Sequence, residues 1–140
     1  MELPANLLNT LVERGQILYS NIFTNIDHPK FFVVIGITKD EVAGFFYINS
    51  KINTNVNSKE EQLRLQFPIS KDDYDFLSHD SYISASNIVT LSRSVIVQSL
   101  LTKQTVIKGK LLEQHLNEIL DKARTSKLYS KITKDRFFYP

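Results

Sequence analysis

The chain has no cysteine and little histidine: His28, His79 and His115 are the only three in 140 residues. Without thiols it can form neither disulfides nor thiolate metal sites. Histidines scattered this widely do not suggest a zinc centre, and no metal or cofactor is expected. Long apolar runs are also missing, so no membrane span is expected. The first residues include Glu2 and Pro4 and lack a basic start leading into an apolar stretch. They do not read as a secretory signal, and the cytoplasm is the expected compartment. An excess of one charge is absent too: 17 Lys and Arg against 15 Asp and Glu leave a net charge of +2. That balance permits a nucleic-acid partner without demanding one. No internal repeat or low-complexity segment is present.

What remains is an ordinary globular composition, 42% hydrophobic and 23% charged, in a length that suits one domain over residues 1–140. Leu3, Leu7, Leu8, Leu11 and Val12 recur at helical spacing, which predicts a helix over residues 2–14 ending at Gly15. "QILYSNIF" (16–23) reads as a strand, and "TNIDHPK" (24–30) as a turn. "FFVVIGIT" (31–38) is apolar throughout and rich in β-branched residues, as in a buried central strand. It pairs in a hairpin with "VAGFFYINSKI" (42–52) across the short "KDE". After the polar loop 53–61, "QLRLQFPI" (62–69) alternates like a half-buried strand, with Pro68 ending it or marking a sheet edge. Residues 70–80 read as a loop or one helical turn, and "SYISASNIVTLS" (81–92) as another strand or two. Leu111, Leu112, Leu116, Ile119, Leu120 and Ala123 then form one apolar stripe of an amphipathic helix. Consecutive strands joined by short turns between terminal helices predict an α+β fold. The form expected is a small antiparallel β-barrel of about five to seven strands, with a helix at each end.

Five segments carry a family likeness: "ERGQILYSNI", "HPKFFVVIG", "FFYINSKI", "SYISASNIVTLSRSVI" and "KGKLLEQHLNEILDKAR". In this order and spacing, from Arg14 to Arg124, the chain resembles the MazF/PemK toxins of bacterial toxin–antitoxin systems. That family shares an SH3-like barrel with the CcdB toxins. The resemblance implies a barrel core over about residues 14–108, a terminal helix over about 110–127 and a basic-aromatic tail over 128–140. It also implies a metal-independent endoribonuclease for single-stranded RNA, an antitoxin protein as partner, and a homodimer. The family's catalytic Arg falls on Lys30 and its Thr on Asn49, with Ser50 and Lys51 next to it. Lys lacks the bidentate fork of Arg, and Asn can donate a hydrogen bond but cannot act as a base. His28, two residues before Lys30, is the candidate acid or base. His28, Lys30 and Asn49 are thus the candidate catalytic residues, and Ser50, Lys51, His79, Ser81 and Arg93 the candidate substrate contacts.

Each candidate has a structural alternative. His28 and Lys30 could be an exposed turn around Pro29, and Asn49 and Ser50 a capped strand end. His79 and Asp80 could orient one another, but neighbours on an extended chain point to opposite faces. The structural alternative is Asp80 as a turn cap with His79 packed on Tyr82 or Phe76, and the functional one is His79 as a substrate contact rather than a catalyst. His115 reads as a partly buried structural residue. The tail "KITKDRFFYP" either clamps RNA or packs back on the domain or on a second subunit. The second functional class left open is a barrel without nuclease chemistry that binds a protein or nucleic acid.

Overall fold

The apolar run at residues 31–38 becomes the strand β2, Lys30–Ile37, with neighbours on both sides. The computed structural model describes residues 12–22, 28–52 and 59–139. Its other strands are β1 (Gln16–Ser20), β3 (Val42–Asn49), β4 (Gln66–Ile69), β5 (Ser81–Ser92) and β6 (Thr105–Lys110). They form one antiparallel sheet in the order β4-β5-β3-β2-β1-β6. The described helices are α1 (Glu60–Arg64), α2 (Arg93–Leu101), α3 (Glu113–Thr125) and α4 (Lys131–Phe137). None is long and apolar enough to cross a membrane.

Both faces of the sheet are covered, which is why β2 and β3 are apolar without alternation. Leu18, Phe32, Val34, Ala43 and Phe45 pack with Val12 and with Ile96 and Val97 of α2. Ile17, Val33, Ile35, Phe46, Ile48 and Ile83 pack on the other side with Ile119, Leu120 and Ala123 of α3 and with Phe137 and Phe138. The stripe read from the sequence at 111–123 is therefore largely core: Leu111, Ile119, Leu120 and Ala123 are buried, and Leu112 is exposed.

The α+β class holds, with corrections. The sheet is open: β4 and β6 are its two edges and do not pair, so the expected barrel is not closed. Edge β4 carries the exposed Pro68, which has no N–H to offer a further strand. Edge β6 carries Lys108 and Lys110 and a register shift against β1, devices that blunt an edge. The helix expected over 2–14 lies outside the described residues, apart from the turn that brings Val12 to Arg14 into β1. "QLRLQFPI" is not one strand: α1 takes Gln62–Arg64, and only Gln66–Ile69 pair in the sheet. Glu61 and Arg64, three residues apart, pair at 2.5 Å on the exposed side of α1.

Besides α1, two helices had no counterpart in the sequence reading. "RSVIVQSLL" is rich in β-branched residues, yet it forms α2, capped by Ser92, whose Oγ accepts from the Val95 N–H at 3.4 Å. Burial of Ile96 and Val97 against the sheet outweighs their strand preference. In the tail, Ser130 caps α4 by accepting from Thr133 N–H at 3.2 Å. The tail packs back on the domain: Phe137 and Phe138 are buried.

Gly36 and Gly44, directly paired across β2 and β3, make the notch for that tail. A Cβ on Gly36 would collide with the Phe137 carbonyl, and one on Gly44 would lie 2.6 Å from Ile88 and 2.8 Å from the Phe137 ring. Two arginines hold the segment's carbonyls. Arg14 donates to Ile35 O (2.6 Å), Phe137 O (2.9 Å) and Tyr139 O (3.0 Å), while Arg124 donates to Phe138 O (2.6 Å). Burial, and secondarily the like charge of Arg124, lower the Arg14 pKa from the ordinary arginine value. Gly36→Ala is expected to destabilise the fold by about 1–3 kcal/mol. Thermal unfolding measures the loss, and limited proteolysis should cut first near α4.

Candidate functional site

The strand register brings distant residues to one end of the sheet. Ser20 lies opposite Lys30, Phe31 opposite Ile48, and Asn49 opposite Tyr82. At that end an open cleft of about 360 Å³ is bounded by four pieces of chain. His28, Pro29, Lys30 and Phe31 come from the entry to β2, and Ile48, Asn49, Ser50 and Lys51 from the exit of β3. Leu77, Ser78, His79 and Ser81 come from the turn before β5, and Tyr19 from β1.

Seven of the eight residues singled out from the sequence meet there: His28, Lys30, Asn49, Ser50, Lys51, His79 and Ser81. Among the described residues, the wall holds two lysines and two histidines and no carboxylate. His79 and Lys30, which the sequence could not relate, face the same space.

Lys30 is the centre of the arrangement. Its ammonium donates to Asn49 Oδ1 and sits 5.2 Å from the centre of the Tyr47 ring. Strand alternation explains both contacts, since Tyr47 and Asn49 share a face of β3 and lie beside Lys30 of β2. The side chain is half-buried, and desolvation lowers its pKa from the ordinary lysine value. With its Oδ1 occupied by Lys30, Asn49 keeps amide N–H donors for another group.

The turn before β5 presents His79 and removes Asp80. His79 Nδ1 is 3.2 Å from Ser78 Oγ, and Ser81 Oγ donates to the His79 carbonyl at 3.0 Å. Asp80 instead accepts from Lys71 N–H at 3.0 Å and lines a neighbouring depression with Asp73 and His115. The expected split of His79 and Asp80 to opposite sides is thus observed, and the positive cleft lies next to an acidic hollow.

Arg93 does not belong to the cleft. It opens α2 at the far end of β5, where it pairs with Glu41 at 2.9 Å and donates to the Val12 carbonyl at 3.3 Å. The long extended run of β5 separates it from Ser81. His115 is structural, as expected. It is hydrogen bonded to Tyr74 Oη (2.7 Å) and packs against Phe67 at 5.7 Å. The same Tyr74 oxygen accepts from Leu112 N–H (3.1 Å), serving the start of α3 where no side-chain cap exists.

Comparison with family models and with curated proteins returns no match. The reading of the cleft therefore rests on its own residues.

The sequence reading missed Tyr19, Phe31 and Leu77 as walls. The signal for Tyr19 and Phe31 was present: their strands place them opposite one another, with ring centres 4.6 Å apart. Leu77 carries no local signal, since only the fold brings its turn over β2. Because a half-buried ammonium carries a desolvation cost, Lys30→Met is expected to leave the melting temperature unchanged or raise it. Thermal unfolding near neutral pH checks this; a large drop would make Lys30 a structural residue.

Proposed function

We propose that this chain is a MazF/PemK-like endoribonuclease that cuts single-stranded RNA without a metal and acts as the toxin of a toxin–antitoxin pair. One observation carries the reading: His28, Lys30, Asn49 and His79, from three separate segments, line one cleft. On this reading the open sheet is a variant of the SH3-like barrel. The molecule works in the cytoplasm as a homodimer and is neutralised by a protein antitoxin.

The chemistry follows from the residues. His28 takes the proton from the ribose 2′-hydroxyl, and the 2′-oxygen attacks the adjacent phosphorus. As the new O–P bond forms, the bond to the 5′-oxygen breaks, and that oxygen takes a proton from His79 in its imidazolium form. The products are a 2′,3′-cyclic phosphate and a 5′-hydroxyl. Lys30 stabilises the charge that builds on the phosphorane oxygens, worth most where water is partly excluded. Asn49 holds the ammonium in place and donates to a phosphate oxygen. Ser50, Lys51 and Ser81 contact the flanking backbone.

The second reading, a binding module without nuclease activity, draws on the same pair. Lys at the position of the family's Arg gives a point charge in place of a fork, and its contact with Asn49 uses one of its donors.

Purified protein in excess chelator is expected to cleave single-stranded RNA. His28→Ala and Lys30→Ala should each lower kcat by about 10²-fold or more. RNA left whole by folded wild-type protein would sink the nuclease reading, and growth arrest with whole RNA would favour the binding module. The pH profile adds a second check. Lys30 must be protonated to stabilise the phosphorane, and burial lowers its pKa. With a uridine 3′-(4-nitrophenyl phosphate), whose leaving group departs without a proton from His79, activity should therefore fall on the alkaline side at a pH below the ordinary lysine value of 10.5. An alkaline limb at or above that value would separate Lys30 from the chemistry.

A further inference from the structure

The cleft does not end at its wall. Tyr19, which lines it, continues a row of rings away from it: Phe76 lies 4.9 Å from Phe31, and Phe31 lies 4.6 Å from Tyr19. All three rings are partly exposed. Beyond Tyr19 the sheet finishes at edge strand β6, and the ammonium of Lys108 reaches back over the Tyr19 ring, 5.8 Å from its centre.

The placement of Lys108 has a local cause. Ile17 pairs with Gly109 and Leu18 with Ile107, so Lys108 is the extra residue of a bulge between them. A bulge at a sheet edge re-aims a side chain that the regular ladder would hold in line. The exposed Lys108 and Lys110 make this rim basic. Lys110 is only loosely tied, with its ammonium 3.6 Å from Glu13 on an exposed surface.

We propose that Tyr19 and Lys108 form a second nucleotide subsite that extends the cleft along the strand bound there. The base of the flanking nucleotide stacks on the Tyr19 ring, and Lys108 moves from the ring to that nucleotide's phosphate. Stacking platforms flanked by cations are how proteins hold single strands without reading sequence. An aromatic wall open on one side with an ammonium at its far edge suits a nucleobase followed by a phosphodiester. A lone phosphate needs no ring, and an apolar peptide gains nothing from the lysine.

This subsite rests on the nucleic-acid reading of the cleft, and the test separates the two. Binding of fluorescein-labelled 2′-O-methyl oligouridylates, which resist cleavage, is measured by anisotropy in chelator for a dinucleotide and an octanucleotide. Lys108→Ala, at an exposed position, should weaken the octanucleotide about tenfold and the dinucleotide much less. It should also make the slope of log affinity against log salt shallower by about 0.7, the loss of one phosphate contact to a single strand. Tyr19→Leu, which keeps apolar volume and removes the ring, should give the same length-dependent loss with the slope retained. Equal losses at both lengths, or an octanucleotide affinity and slope that do not move in Lys108→Ala, overturn the subsite and leave the cleft reading standing. A wild-type protein that binds neither oligonucleotide overturns both.

Discussion

Arg14 ties the start of β1, the middle of β2 and the last described residues into one unit. Its guanidinium donates to the carbonyls of Ile35, Phe137 and Tyr139. Hydrogen bonds from a charged donor are among the stronger ones, and a buried carbonyl without a partner is costly. The notch at Gly36 and Gly44 depends on this clamp, because it lets α4 approach the backbone of β2 only if the helix stays in place. Phe137 and Phe138 then complete the core face that α3 shares. Tyr129, whose hydroxyl donates to the Ala85 carbonyl at 2.6 Å, secures the segment before α4. Its burial raises its pKa far above the ordinary tyrosine value, so it stays a neutral donor at physiological pH.

The two ends of the sheet have different tasks. The end that carries Gly36, Gly44 and Arg93 is closed by packing and by the Glu41–Arg93 pair. At the other end, where β2 begins and β3 finishes, the described residues bound an open cleft lined by cations and rings. Lys30 lies at the border. It is buried enough for its charge to be costly and open enough to meet a ligand. Polar groups held this way, against the interest of stability, are what a rigid sheet can support at one margin while its centre carries the fold.

Much of the strand framework was legible because it is written in local pattern. The apolar run at β2, the hairpin to β3 and the edge role of Pro68 follow from burial and backbone chemistry that need no distant partner. The helix at 113–125 follows from its stripe. Where the reading slipped, tertiary contacts outweighed local preference: α2 is helical despite Val95, Ile96 and Val97, and α1 breaks a regular alternation at Leu63. The site was legible in part for a similar reason. His28, Lys30, Asn49 and Ser50 sit at strand ends that pairing brings together, so a correct hairpin places them as neighbours. Arg93 was misplaced because nothing local marks at which end of a twelve-residue strand a side chain will lie.

By itself the sequence determined the class of fold, the apolar core of the sheet, and which polar residues stand where strands begin and end. These depend on residue type and on periods of a few residues. Only the tertiary structure decided that the sheet stays open, that the tail fills the notch beside β2, and that His79 shares a cleft with Lys30 while Asp80 does not. Those outcomes depend on strand order, on a bulge and on which carbonyls two arginines reach, which are relations between residues far apart in the chain and so leave no periodic trace in it.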